Sequence, residues 1–129
     1  MVATKILIVD DDQGSRELLS EVLAANGYNV AAVPDGAAAR DELSRDGGYE
    51  IVLADLRMPN VNGLELLREL RSRNQRQDLI LMSSFMTGPD KQQALKLGAR
   101  ALLEKPFRLN ELLDIVGEVA VQRSVSIEL

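Results

Sequence analysis

Five short apolar runs divide the chain at regular intervals. Four of them are apolar at every position, which favours strands buried on both faces of a parallel sheet. The fifth, Val30–Val33, is stopped by Pro34 and therefore predicts an edge strand. The four fully apolar runs are Ile6–Val9, Ile51–Ala54, Leu79–Met82 and Ala101–Leu103.

Apolar residues at helical spacing follow each run, so the chain alternates strand and helix five times. Gly27 is placed to end the first helix, and Pro89 suits the first turn of the fourth. This alternation predicts an α/β fold, in which right-handed crossovers place helices on both faces of the sheet. The marker residues of the five helices are Leu18, Leu19, Val22 and Leu23; Ala37, Ala38 and Leu43; Leu64, Leu66, Leu67 and Leu70; Ala94, Leu95 and Leu97; and Leu112, Leu113, Val116, Val119 and Ala120.

The length and composition fit a single domain. The chain has 129 residues, of which 46% are hydrophobic and 27% are charged, as is ordinary for globular proteins. We expect residues 1–121 to form the domain, and residues 122–129 to be a poorly ordered tail or the start of a linker. No apolar stretch approaches the ~20 residues of a membrane span, and no signal peptide is recognisable, so we expect a cytoplasmic location.

Missing residue types narrow the chemistry. The chain has no cysteine and no histidine, which excludes disulfides, thiolate metal sites and catalysis by a histidine base. The net charge of −5 opposes binding to nucleic acid or to an anionic membrane. The remaining candidates for chemistry are carboxylates, hydroxyls and amines.

Polar residues follow four of the predicted strands, and ligands of open parallel sheets bind beyond the strands' carboxyl ends. We therefore expect three carboxylates, a hydroxyl and an ammonium in one crevice. Carboxylates about 5 Å apart repel by roughly 3 kcal/mol per pair, and oxygen-only ligands favour Mg²⁺ or Mn²⁺ as the relieving cation. A carboxylate can also attack a phosphoryl group. These residues are Asp10, Asp11, Asp55, Ser83 and Lys105.

Four segments taken together resemble the receiver domain of two-component response regulators, over residues 5 to about 120. The resemblance implies a flavodoxin-like, doubly wound sheet of five parallel strands in the order 2-1-3-4-5. It implies a phosphorylation-dependent signalling switch whose only chemistry is self-catalysed phosphoryl transfer and autodephosphorylation, rather than a metabolic enzyme. The segments are Ile6–Asp12 (ILIVDDD), Asp55–Gly63 (DLRMPNVNG), Ser83-Ser84 and Glu104–Phe107 (EKPF).

The same resemblance implies a role for each residue at the strand ends. Asp55 would accept the phosphoryl group, Ser83 would donate its hydroxyl to a phosphoryl oxygen, and Lys105 would pair with the phosphoryl group. The Lys105-Pro106 peptide bond would be cis. The ligands of Mg²⁺ would be Asp10, Asp11, Asp55 and the backbone carbonyl of Arg57.

Partners are implied as well. A sensor histidine kinase or a histidine phosphotransfer protein, the latter in a phosphorelay, would supply the phosphoryl group. The fourth helix, fifth strand and fifth helix would form the output face for an output domain, a separate protein or a second copy of this chain. No direct contact with nucleic acid or membrane is expected. The sequence leaves open which kinase acts on the chain, and whether the chain stands alone or belongs to a longer protein.

Three positions depart from the usual receiver pattern. Leu102 occupies a position where receivers often carry an aromatic switch residue. Arg57 and Phe85, two residues beyond the acceptor and the hydroxyl residue, have no carboxylate or carboxamide that could orient an attacking water. The sequence therefore predicts a phosphorylated state that lasts minutes or more.

Two rival functions remain at this point. One is a haloacid-dehalogenase-type phosphatase, because Asp10, Asp11 and Asp12 contain an Asp-x-Asp pattern; however, Gly14 stands where that family carries Thr or Val, and no second acidic pair follows late in the chain. The other is a receiver-like interaction module that works without phosphorylation. Asp12 lies closest to the predicted helix start, and we expect it to cap that helix.

Overall fold

A computed structural model describes residues 3–58 and 61–128, with side chains as far as Ser124. Met1, Val2, Leu129 and the Pro59-Asn60 part of the second motif lie outside this description. Strands and helices alternate through it as the sequence predicts. The strands are β1 (Lys5–Val9), β2 (Asn29–Val33), β3 (Ile51–Asp55), β4 (Asp78–Ser83) and β5 (Ala101–Glu104); the helices are α1 (Gln13–Ala25), α2 (Gly36–Arg45), α3 (Gly63–Ser72), α4 (Gly88–Lys96) and α5 (Leu109–Glu128).

The five strands form one parallel sheet in the order β2-β1-β3-β4-β5. This confirms the predicted flavodoxin-like topology and the edge position of β2. The register of neighbouring strands aligns their carboxyl ends along one side of the sheet. The pairs nearest that edge are Val9 with Ala54, Asp55 with Met82, and Ser83 with Glu104.

Two apolar clusters lie on opposite faces of the sheet, because successive strand residues point to opposite sides. Ile6 and Ile8 of β1 belong to the cluster under α1 and α5, whereas Leu7 belongs to the cluster under α2, α3 and α4. All three are fully buried, and burying a side chain of this size contributes about 1.5–3 kcal/mol. Burial on both faces explains why the central strands β1, β3 and β4 carry no polar residue between their first and last positions.

The ends of α1 follow the sequence signals. The Asp12 carboxylate accepts a 2.7 Å hydrogen bond from the Ser15 amide, so Asp12 caps the helix as expected. Gly27, with φ of +91°, ends it in a conformation that other residues rarely adopt. Helix α1 is therefore fixed in register directly after Asp10 and Asp11.

Helix α5 continues to Glu128, through most of the segment that we expected to be a tail or linker. The guanidinium of Arg123 donates to the Arg76 carbonyl at 3.0 Å and to the Asp78 carboxylate at 2.9 Å. Asp78 is the first residue of β4, so this contact lies where the strands begin, whereas Asp55 lies where they end. The expected boundary at residue 121 thus falls inside a helix, and Arg123 beyond that boundary still contacts the sheet.

Over the described residues, no helix combines the length and apolar character needed to cross a membrane.

Gly63 lies where α3 begins against the end of β3. A Cβ atom at Gly63 would lie 2.5 Å from Leu81 Cδ2 and 2.8 Å from the Asp55 carbonyl oxygen. Because that oxygen belongs to the sheet, it cannot move aside without displacing β3. We expect Gly63→Ala to lower the free energy of unfolding by about 1–3 kcal/mol, measured by urea denaturation.

The matched control is Gly14→Ala, in the first turn of α1. A Cβ atom there would meet only Asp12 Oδ2, at 3.4 Å. This variant should be as stable as the parent chain or more stable, since alanine favours a helix over glycine. If the two variants had equal midpoints and slopes of urea denaturation, a side chain larger than hydrogen would be tolerated at Gly63.

Candidate functional site

Three carboxylates meet beyond the ends of β1 and β3. Asp10, Asp11 and Asp55 each offer an oxygen, and these oxygens lie within 4.8 Å of one another. Asp10 is fully buried and Asp55 is 8% exposed, whereas Asp11 faces solvent. The cluster is therefore closed toward the sheet and open on the side of Asp11, the arrangement expected from the strand ends.

Backbone amides hold one oxygen of each buried carboxylate. Asp10 Oδ1 accepts the Asp12 amide at 2.9 Å, and Asp55 Oδ1 accepts the Arg57 amide at 3.0 Å. In both cases the donor lies two residues further along the chain, so the carboxylate stabilises the turn that follows its own strand. These bonds leave the Oδ2 atoms of both residues facing Lys105.

Lys105 reaches the cluster from the end of β5. Its Nζ lies 2.8 Å from Asp55 Oδ2 and 3.4 Å from Asp10 Oδ2, and its amide donates to the Ser83 carbonyl at 2.8 Å. Burial lowers the pKa of Lys105, but the hydrogen bonds and charges of Asp55 and Asp10 outweigh burial and raise the pKa above its usual value. Lys105 is thus an ammonium at neutral pH and offsets one of the three negative charges.

The donor set of the cluster fits a hard divalent cation. All of its ligand atoms are carboxylate oxygens, and their spacing allows one ion to contact several of them after small side-chain movements. Each pair of charges repels by roughly 3 kcal/mol at an effective dielectric constant of 20. A bound cation would remove this repulsion, which the single ammonium only partly offsets.

The Ser83 hydroxyl is buried at the end of β4 and engages its own loop. Ser83 Oγ donates to the Phe85 carbonyl at 2.9 Å and accepts the Phe85 amide at 3.2 Å. The Phe85 side chain itself is 66% exposed. A hydroxyl has one proton, so Ser83 can donate to a ligand only by releasing the Phe85 carbonyl.

Two further predictions concern residues beside the cluster. The Lys105-Pro106 bond is cis, as expected from the resemblance. Leu102 is half-buried on the α4 side of β5, against the cluster that contains Met86 and Ala94. The position where receivers often carry an aromatic switch residue thus holds a leucine that packs against this apolar cluster.

Two arginines beside the cluster have contacts that the sequence did not reveal. Arg16 Nη1 donates to the Asp10 carbonyl at 2.8 Å. Arg57 Nη2 donates to Asp90 Oδ2 at 2.8 Å, so its side chain turns toward α4. The pKa of Asp90 is lowered, first by its hydrogen bond from the Thr87 amide and then by Arg57. The only sequence signal for Arg57 was its position two residues after Asp55.

An apolar groove of about 510 Å³ adjoins Lys105. It lies between α1 and the loop that leads into α5, and its walls include Leu18, Phe107 and Leu109. Leu18 is half-exposed and Leu109 is more than one-third exposed. Apolar side chains of this size on the surface beside a polar site are typical of interaction surfaces.

Comparison with known proteins identifies the family of this chain. The family model for the response regulator receiver domain matches residues 6–117. The response regulator MprA of Mycobacterium bovis is 38% identical over 112 residues, which cover 87% of this chain and 48% of MprA. The response regulator protein FleR of Pseudomonas aeruginosa is 34% identical over 120 residues, covering 93% of this chain and 25% of FleR. The chain thus spans between a quarter and about half the length of these relatives.

Solved structures show the same fold. The chemotaxis protein CheY4 of Vibrio cholerae superposes with a TM-score of 0.85 at 27% identity, covering 92% of this chain and 99% of CheY4. The receiver domain of the Francisella response regulator 1452 gives a TM-score of 0.85 at 28% identity, covering 93% of this chain and 98% of that domain. With five parallel strands in the same order and a family match over most of its length, this chain belongs to the receiver domain family of two-component response regulators.

Proposed function

We propose that the chain is a Mg²⁺-dependent signalling switch that receives a phosphoryl group on Asp55. One observation carries this proposal: Lys105 Nζ lies 2.8 Å from Asp55 Oδ2, within a cluster of three carboxylates at the end of the sheet. Asp10 is less suited to be the acceptor, because it is fully buried. Asp55 retains access to solvent.

Asp10, Asp11, Asp55 and the backbone carbonyl of Arg57 would hold Mg²⁺, with Mn²⁺ as a substitute. When bound, the ion supplies positive charge to the oxygens of the phosphoryl group during transfer. The residues of the chain then do the rest, by positioning the acceptor carboxylate and by supplying the ammonium and the hydroxyl.

The proposed transfer forms a P–O bond to Asp55 and breaks the P–N bond of a phosphohistidine. The imidazole leaves with the electron pair of that bond and takes up a proton. Lys105, already beside Asp55 Oδ2, would pair with one phosphoryl oxygen. Ser83 would turn its hydroxyl proton away from the Phe85 carbonyl and donate it to a second phosphoryl oxygen. The histidine would belong to a sensor histidine kinase or a histidine phosphotransfer protein, because this chain has none.

Rotation of Ser83 would carry the signal to α4. It frees the loop before α4 and changes the space beside Leu102, so the surface formed by α4, β5 and α5 is the proposed output face. An output domain, a separate protein or a second copy of the chain would bind there.

The groove beside Leu18 and Leu109 is a separate surface, suited to the phosphoryl donor because it adjoins Lys105.

A pulse-chase experiment with acetyl phosphate tests this function. In Mg²⁺ the intact chain should gain the mass of one phosphoryl group, located on Asp55, and excess EDTA should prevent the gain. After removal of the donor, the label should persist for minutes or more, since neither Arg57 nor Phe85 carries a carboxylate or carboxamide that could orient an attacking water.

Each result has a distinct meaning. A chain that stays unlabelled in Mg²⁺ would contradict the switch and favour an interaction module that works without phosphorylation. Loss of label within seconds would leave the acceptor role intact but would indicate an intermediate in a phosphorelay. Turnover of a phosphomonoester that needs Asp10 but not Asp55 would indicate the haloacid-dehalogenase-type phosphatase instead.

A further inference from the structure

An ion pair joins the loop after β3 to the first turn of α4. Arg57 Nη2 lies 2.8 Å from Asp90 Oδ2, across 33 residues of sequence. The same Oδ2 accepts the Thr87 amide at 3.1 Å, and Thr87 Oγ1 accepts the Asp90 amide at 3.0 Å. One carboxylate oxygen therefore both closes the capping box of α4 and holds the guanidinium of Arg57.

The other end of this connection is the phosphoacceptor. The Arg57 amide donates to Asp55 Oδ1, so Arg57 contacts the acceptor through its backbone and α4 through its side chain. Ser83 is connected to the same turn of α4, because its hydroxyl is bonded to Phe85, two residues before Thr87.

Packing restrains α4 only weakly. Among its residues, all of which the structure describes, Ala94 is the one buried side chain. Polar contacts therefore supply a large share of the restraint on this helix. Beside the pair of Arg57 with Asp90, a second ion pair joins Lys91 to Glu104 of β5, and its carboxylate is more exposed than that of Asp90.

We infer that the pair of Arg57 and Asp90 is a clasp that stabilises the resting position of α4 and opposes phosphorylation. This inference rests on the proposed function. When Ser83 turns its proton to a phosphoryl group, the loop through Phe85 is released and shifts, and Thr87 with its capping box moves with it. The clasp fixes that box to the loop of the acceptor, so it has to open or stretch before the movement is complete.

The expected effect follows from the exposure of the pair. An ion pair at the surface between two elements can shift an equilibrium by about two- to fivefold. It is screened by salt, since its atoms are not sealed from solvent. Opening the clasp should therefore favour the phosphoryl-bound arrangement by this factor at low salt and by less at high salt.

The test is the affinity of the full chain for fluoroberyllate, a phosphoryl mimic, in Mg²⁺, measured by calorimetry. Asp90→Asn keeps an oxygen that can accept the Thr87 amide and loses the charge that holds Arg57. We expect this variant to bind fluoroberyllate about two- to fivefold more tightly than the parent chain, with the gain reduced in 1 M salt, where the Debye length is about 3 Å.

Two controls separate the clasp from a general loss of charge. Glu69→Gln removes the ion pair with Arg40, which is also 2.8 Å long but joins α2 to α3, and should leave the affinity unchanged. In an Arg57→Met background, Asp90→Asn should give no further gain, because the two residues act as one contact. Unchanged or weaker binding by Asp90→Asn alone overturns the clasp.

Failure of the proposed function is distinguishable from failure of the clasp. A parent chain that binds no fluoroberyllate in Mg²⁺ overturns the function. Hydrogen exchange of the first-turn amides of α4 then decides the clasp without any ligand. Faster exchange in Asp90→Asn than in Glu69→Gln supports it, and equal exchange overturns it.

Discussion

Replacing Asp55 with asparagine should reduce labelling by acetyl phosphate by at least about a hundredfold, because an amide oxygen is not a nucleophile for phosphorus. The side chain keeps its shape, and its oxygen can still accept the Arg57 amide. The loss would therefore reflect the missing carboxylate rather than an altered turn. Mass spectrometry of the intact chain, after a fixed time in Mg²⁺ and acetyl phosphate, measures it.

Asp12→Asn is the matched control for this experiment. It removes one negative charge from the same edge of the sheet, but its side chain caps α1 through the Ser15 amide, and asparagine caps equally well. We expect labelling within about twofold of the parent chain, as for a surface change of little energetic effect. Full labelling of Asp55→Asn, with the phosphoryl group on Asp11, would instead place the acceptor outside the sheet.

Replacing Lys105 with methionine should destabilise the metal-free chain by about 2–3 kcal/mol, slightly below the cost of breaking a fully buried pair. Asp10 is completely enclosed, and Lys105 itself is only 26% exposed. Without the ammonium, Asp10 and Asp55 repel each other with no compensating cation between them. Urea denaturation in EDTA measures the change, and Mg²⁺, which we propose binds the folded chain, should restore part of the loss.

Lys91→Met tests the role of burial. Lys91 forms an ion pair of the same 2.8 Å length with Glu104, but both side chains are largely exposed. Its loss should change the free energy of unfolding by no more than about 1 kcal/mol. Equal destabilisation by the two lysine variants would contradict the electrostatic account of the cluster.

The stabilisation of the folded chain by Lys105 should decrease at high pH. Its pKa is raised in the folded chain, so the stabilisation is complete below the ordinary lysine value of 10.5. It declines as the pH rises through the folded value. The stability difference between the parent chain and Lys105→Met should therefore persist at neutral pH and narrow only in strongly alkaline buffer.

The sequence predicted those features that depend on strands buried on both faces. Runs such as Ile6–Val9 and Ile51–Ala54 have no polar position, so their ends, and the acids after them, could be read directly. Parallel topology then places Asp10 and Asp55 at one edge without any knowledge of side-chain conformation. The cis bond and the strand order came from the family resemblance, not from the pattern itself.

The contacts that the sequence could not predict are those made by long side chains across elements. Arg57 could have faced solvent, the acids or α4, and only the folded chain places it on Asp90. The same holds for Arg123, whose contact with Asp78 spans 45 residues. The rotamer of Ser83 was equally open, because a serine hydroxyl can bond its own loop or a neighbour.

The contact of Arg123 at the far edge of the sheet has a mechanical consequence for α5. The helix begins at Leu109, in the segment that follows Lys105 and Pro106, and it runs the height of the sheet to the turn whose Arg123 contacts β4. Movement of α5 along its axis would break the hydrogen bonds that Arg123 donates to the Arg76 carbonyl and the Asp78 carboxylate. We therefore expect small displacements beside the acids to tilt α5 about this contact rather than to move the helix along its axis.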